Sequence, residues 1–202
     1  APAAPPPAPA VAAPAPAAPP PAPAVPRSQQ QTAPLTPVNV IVRRGMPNNA
    51  EMIATFISEN TNKTMTRMDV MMAFGQKSYL LAQDAGEKVV GLVGWQVENL
   101  ITRVDEFYLS PSIQAGPVVQ ELLVAIEQAS RDLQSEVGYI FLPTSTAPDT
   151  LQTFLKNGYE HTTVEQIKIP AWREAVQELV GSSNTVLILT KKLREDRVLK
   201  PI

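Results

Sequence analysis

Hydrophobic and polar residues alternate with a period of two over Val38–Arg43, where Val38, Val40 and Val42 share one face and Asn39, Ile41 and Arg43 the other. That period is the mark of a half-buried strand, and the Gly45-Met46-Pro47 turn ends it. The spacing then changes. Met52, Ile53, Phe56 and Ile57 recur every three or four residues behind Asn48 and Asn49, which predicts a capped amphipathic helix over 50–60. A second helix is predicted over 64–74, with Met65, Met68, Met71, Met72 and Phe74 as soft core filler. Strands at 78–83, 88–98 and 101–109 follow, joined by short turns at Asp84–Glu87 and Asn99, and read as an antiparallel meander. The longest apolar stripe is Val118, Leu122, Leu123, Ile126, Ala129 and Leu133. It predicts a helix from Pro117 to Gln134, with Gly116 as cap and Pro117 at the first helical position. A buried strand at 139–142, a helix at 148–156 closed by Asn157 and Gly158, a strand at 160–169, a helix at 171–180 and a strand at 185–190 complete the pattern. The residues after it read as a charged, exposed tail. This order predicts an α/β fold of the α+β type, a mixed sheet with helices on both faces.

Composition divides the chain in two. Fourteen of the 21 prolines fall in residues 1–37, where Arg27 is the single charge, and the segment APAAPPPAPAV of 1–11 recurs at 15–25. Such a stretch has no core to form. It is expected to be an extended polyproline II spacer, with a reach on the order of 100 Å at about 3.1 Å per residue. Three segments follow: a Pro/Ala-rich linker at 1–37, a folded domain at 38–193 and a charged tail at 194–202. The first is expected to tether the domain to a protein partner or a larger complex, with a homodimer left open.

Charge and cysteine content narrow the chemistry. All 19 acidic residues and 16 of the 17 basic ones lie beyond residue 37, interspersed, so no concentrated positive field is available to hold a phosphate backbone. Nucleic acid is not expected as a partner. With no cysteine and a lone His161, thiolate and multi-histidine metal sites are excluded, and no metal is expected. No apolar run reaches the roughly 20 residues that span a bilayer, and 1–37 lacks the pattern of a signal peptide. A cytoplasmic location is expected, without membrane insertion.

The ordered run of motifs, RRGMPNNAEMI, VVGLVGW, VDEFYLSP, the long helix and TLQTFLKNGYE, resembles the GNAT superfamily of N-acetyltransferases over about residues 38–193. The most specific part is Phe154-Leu155-Lys156-Asn157-Gly158-Tyr159, similar to the helix with which that family closes its cofactor cleft. The resemblance implies a twisted, mostly antiparallel sheet and an acetyl-CoA pyrophosphate loop before the long helix. The cofactor-binding positions it implies are Leu109, Gln114, Gly116, Val118, Val119 and Gln120. Gln114 fits that loop's pattern. Pro117 removes an N–H that a phosphate would use, and Val119 places branched bulk at a position kept small in the family. The proton-donor tyrosine of many members falls on Phe154, which has no hydroxyl. Asp105 and Glu106 are the candidate catalytic carboxylates, and strand alternation puts them on opposite faces. His161 is expected on the surface and Tyr159 in the core.

Three functions remain. One is a GNAT-fold module with impaired catalysis, used for interaction or regulation, with a degenerate loop that binds acetyl-CoA weakly or not at all. Another is an active acetyl-CoA-dependent N-acetyltransferase that acts on an amine, holding the pyrophosphate with Gln114 and the N–H groups of Val118, Val119 and Gln120. The third is a structural subunit that pairs through 185–202. Whether the chain is an enzyme stays open at this level.

Overall fold

A computed structural model describes residues 39–181 and 185–194. The expected linker at 1–37 and all but Arg194 of the expected tail lie outside these residues. The described chain forms a seven-stranded sheet with the order β1-β2-β3-β4-β5-β7-β6. The strands are β1 (Ile41–Gly45), β2 (Ser78–Gln83), β3 (Val89–Glu98), β4 (Ile101–Leu109), β5 (Val137–Pro143), β6 (Glu160–Thr162) and β7 (Val186–Lys192). The helices are α1 (Ala50–Asn60), α2 (Arg67–Ala73), α3 (Ala115–Asp132), α4 (Pro148–Lys156) and α5 (Pro170–Val180). Every neighbouring pair is antiparallel except β4 and β5, which run parallel across the α3 crossover. The sheet is therefore the mixed, mostly antiparallel one expected.

Both faces of the sheet are covered, because alternate residues of one strand feed different cores. Leu80, Ala82, Val104, Ile140 and Leu142 meet Val118, Leu122, Ile126 and Phe154 of α3 and α4. Tyr79, Leu81 and Leu92 meet Ile53, Phe56 and Ile57 of α1 and Val70 of α2. Tyr139, Phe141 and Ile188 pack with Ala175 and Val176 of α5. Since Tyr139 and Phe141 alternate with Ile140 and Leu142, α5 lies on the face opposite α3. The long helix rides close to β3: a Cβ on Gly91 would come within 2.8 Å of Val118.

Several boundaries differ from the pattern reading. The second helix begins at Arg67, because Thr66 and Asp69 form a capping box in which the Thr66 side chain accepts from the Asp69 N–H. Val70 fills the core there, while Met68 and Met72 stand exposed and do not act as filler. Met52 is exposed as well. Helix α3 begins at Ala115 with Gln114 as N-cap, so Gly116 is its second residue and Pro117 its third. Proline is accommodated there because the first-turn N–H groups have no intrahelical acceptor. Its helical span ends at Asp132, which leaves Leu133 exposed. The strand expected at 160–169 stops at Thr162. Thr163 and Gln166 then close a capping box on a 3-10 turn, and Ile167 is buried beneath α5. At the other end β7 runs on through Lys192 and Leu193 is buried, so the exposed tail cannot start at Lys191.

Candidate functional site

Strands β4 and β5 pair only from Ile101–Val137 to Val104–Ile140. Beyond that point β4 stays bonded to β3 and β5 to β7, so the two parallel strands separate at their carboxyl ends. A crevice outside the carboxyl ends of adjacent parallel strands, where the chain order changes direction, is the place an open α/β sheet offers a ligand. Here it is a cleft of about 370 Å³, lined by Asp105 and Tyr108 from β4, Phe141 and Leu142 from β5, Leu179 of α5, Val186 of β7 and Lys63 from the loop between α1 and α2, among others. The cleft-facing edge of residues 105–109 has no β5 partner, so an extended amide-bearing ligand could pair with it.

A bulge supplies the charges. Gly94 pairs with Glu106 but Trp95 pairs with Val104, so Asp105 is an extra residue in β4. This overturns the expectation that Asp105 and Glu106 face opposite sides. The Lys77 ammonium makes ion pairs with both, a short contact to Asp105 Oδ2 and one of 3.4 Å to Glu106 Oε1. All three side chains are mostly buried, at 13% exposure for Lys77, 25% for Asp105 and 14% for Glu106. One cation thus serves two carboxylates, whose outer atoms Asp105 Oδ1 and Glu106 Oε2 are buried without a hydrogen-bond donor among the described residues. Glu106 is seated against Gly94, where a Cβ would lie 2.5 Å from Oε2. Tyr79 lies alongside, outside good hydrogen-bond geometry with Glu106. Burial first, and then that carboxylate, push its hydroxyl far above the usual tyrosine range.

At the mouth, Lys63 Nζ donates to the Tyr108 hydroxyl at 2.7 Å and stands 5.4 Å from the centre of the same ring. Burial lowers the Lys63 pKa, but the Tyr108 bond and the carboxylates of Glu106 and Asp105 outweigh it and leave the ammonium raised. Burial also raises the Tyr108 hydroxyl.

The implied cofactor positions divide. Leu109 ends β4, half-buried against the core of the α3 face. Val118 and Val119 are fully buried in that core, so the bulk of Val119 points into the sheet and not at a bound phosphate. Gln114 is exposed at the N-cap. Gly116 and Gln120 line a second cleft of about 370 Å³ with Pro117, Glu121, Thr153 and Lys156. With α3 starting at Ala115, the N–H groups free of the helix ladder are those of Gln114, Ala115 and Gly116. Those of Val118, Val119 and Gln120 reach carbonyls one turn back. Lys156 and Glu121 line this same cleft, so a cation there stands with the carboxylate that would repel an anion.

Phe154 is fully buried, with its ring 5.0 Å from Phe107 and 6.2 Å from Tyr159, both edge-on. Tyr159 is also in the core. Burial and the Glu127 carboxylate push its hydroxyl far upward, and Lys191 bridges Glu127 and the Asn157 carbonyl beside it. His161 is exposed on β6 and does not line the cleft. Among the described residues no cluster of potential metal ligands occurs, and no helix is long and apolar enough to cross a membrane.

Lys63, Lys77, Tyr79 and Tyr108 were not singled out in the sequence, and Lys156 stood there only as part of the closing-helix motif. Lys77 had no signal in the pattern: Ser78 pairs with Trp95, and Trp95 with Val104, and only that register brings the residue before Ser78 beside the start of the bulge. Lys63 had none, since a loop residue carries no register.

No protein-family model matches the sequence, and no curated protein matches it. Solved structures do. A GNAT superfamily phosphinothricin acetyltransferase from Sinorhizobium meliloti in complex with AcCoA superposes with a TM-score of 0.59 at 13% identity, covering 81% of this chain and 93% of that one. N-acetylglutamate synthase from Neisseria gonorrhoeae, complexed with coenzyme A and N-acetyl-glutamate, gives 0.59 at 15% identity over 78% of this chain and 36% of the other. The PaiA N-acetyltransferase from Thermoplasma acidophilum, in complex with coenzyme A, gives 0.56 at 11% over 76% and 99%. The described chain has the GNAT fold.

Proposed function

We propose that this chain is a GNAT-fold module that binds an acyl-CoA in the cleft between β4 and β5 but is impaired in passing the acyl group to a free amine. The observation that carries the reading is that the charged groups lining the cleft, Asp105 and Lys63, already have internal partners. Lys77 is held by Asp105 and Glu106, and Lys63 by Tyr108. A carboxylate acting as general base must be free to meet the incoming amine, and one already paired with an ammonium is engaged elsewhere. The leaving thiolate has no acid at Phe154, the position that the resemblance assigns to one. Binding is less affected. The β4 edge is open, three N–H groups face out at the start of α3, and Lys156 supplies a cation beside them. In this reading the Pro/Ala segment carries the module to a protein partner in a larger assembly.

An active N-acetyltransferase is the second reading, favoured by Tyr108 and Asp105, which put a hydroxyl and a carboxylate on one cleft wall. Thermal melting and a CoA-release assay, run together, separate the two. The module reading expects acetyl-CoA to raise the melting temperature, by the equivalent of about 2.7 kcal/mol at a hundredfold excess over Kd. CoA release with small amines should stay at the uncatalysed rate. Sustained release would establish the enzyme instead, and no melting shift at millimolar acetyl-CoA would remove both. Deleting 1–37 should leave the melting shift unchanged and abolish co-purification with a partner; retained co-purification would contradict the tether.

A further inference from the structure

Lys63 is exposed on the loop between α1 and α2, and its side chain reaches the cleft wall. The ammonium is held there in two ways, by the 2.7 Å bond to the Tyr108 hydroxyl and by the face of the same ring. The carboxylates of Asp105 and Glu106 add attraction from the strand beneath. Lys77 is committed to those carboxylates, and Lys156 lines the other cleft. Among the described residues, Lys63 is the lysine that lines the cleft between β4 and β5. A primary amine is therefore built into the wall against which an acyl thioester would rest. A tethered amine competes with amines in solution at a high effective concentration, and needs less help from a base or an acid to react.

We propose that Lys63 is a self-acylation site, taking the acyl group of a thioester bound in this cleft onto its own Nζ. The proposal rests on the acyl-CoA-binding reading above. The Lys63 ammonium first gives up one proton to solvent. Nζ then attacks the thioester carbonyl carbon, the N–C bond forms, and the C–S bond breaks with its electron pair passing to sulfur. Nitrogen loses a second proton and the thiolate gains one. The products are an acyl-lysine amide, the free thiol of CoA and one released proton. Acylation removes the cation from the Tyr108 ring and leaves Asp105 and Glu106 with Lys77 alone. The modified protein thus differs from the unmodified one at the cleft mouth.

The experiment incubates the full chain with isotopically labelled acetyl-CoA and maps the label by peptide mass spectrometry, with a melting curve on the same sample. Lys63 should be labelled at least about tenfold faster than the exposed Lys88 and Lys168, as expected for an amine held next to its reactant. The rate per molecule should not change with protein concentration. Tyr108→Phe keeps the ring and removes the hydroxyl, and should slow Lys63 labelling several-fold while leaving Lys88 and Lys168 unaffected. Equal labelling of all three lysines, or a rate that rises with protein concentration, would overturn the proposal. A melting shift without label on Lys63 would overturn it and leave the binding reading standing. Neither shift nor label would remove both.

Discussion

Lys77 holds two carboxylates that adjoin in sequence and would repel each other without it. Removing one member of a buried, charge-paired group leaves the others uncompensated, a change that costs about 3 kcal/mol or more. Lys77→Met should therefore lower the urea midpoint strongly. Adding Asp105→Asn and Glu106→Gln to Lys77→Met should recover most of the loss, because the neutral amides no longer need the cation. Failure of that recovery would mean that Lys77 acts through its packing and not its charge. At this scale the sequence identified the carboxylates but not their partner. Asp105 and Glu106 stand out as acidic residues in an apolar strand, and Phe154 can be recognised as lacking a hydroxyl. The ammonium that pairs with the carboxylates lies 28 residues from Asp105 in the chain, and only the lateral register brings it there.

The element that sets the site is the bulge in β4. Without the extra residue, alternation would send Asp105 and Glu106 to opposite faces and Lys77 could reach only one of them. Gly94 makes room on the neighbouring strand, where any Cβ would collide with the Glu106 carboxylate and the Tyr79 ring. Gly94→Ala should destabilise the fold by about 1–3 kcal/mol, as overpacking does, read from denaturant melts. An unchanged midpoint would mean that Glu106 is free to move away. Long elements with a regular period were legible in the sequence: α1, the β2–β3–β4 meander, α3 and α4 are where their patterns put them, to within a few residues. The errors arose where local side-chain chemistry overrode the pattern. Thr66 starts α2 late, and Thr163 and Gln166 end β6 early; α3 also starts ahead of the glycine that looked suited to cap it, though its N-cap Gln114 makes no side-chain capping bond. The bulge itself leaves no trace in the hydrophobic pattern, because both of its residues are polar.

Across the whole molecule, function depends on how seven strands are ordered. Two parallel strands that pair for four residues and then separate make one cleft, and the start of α3 lines a second. The motif order carried that architecture, because the resemblance rested on the sequence of elements. The degree of opening, and which polar groups turn into it, depend on contacts between segments far apart in the chain. The α3 start also shows where the loop residues sit: Val119 is buried in the core, and Pro117 is a first-turn residue without an N–H. Amide hydrogen exchange with and without acetyl-CoA tests the central claim, that the separated ends of β4 and β5 seat the thioester. Protection should appear at residues 105–109, 141–142 and 114–116. Unchanged exchange at those residues, with saturating ligand present, would contradict it.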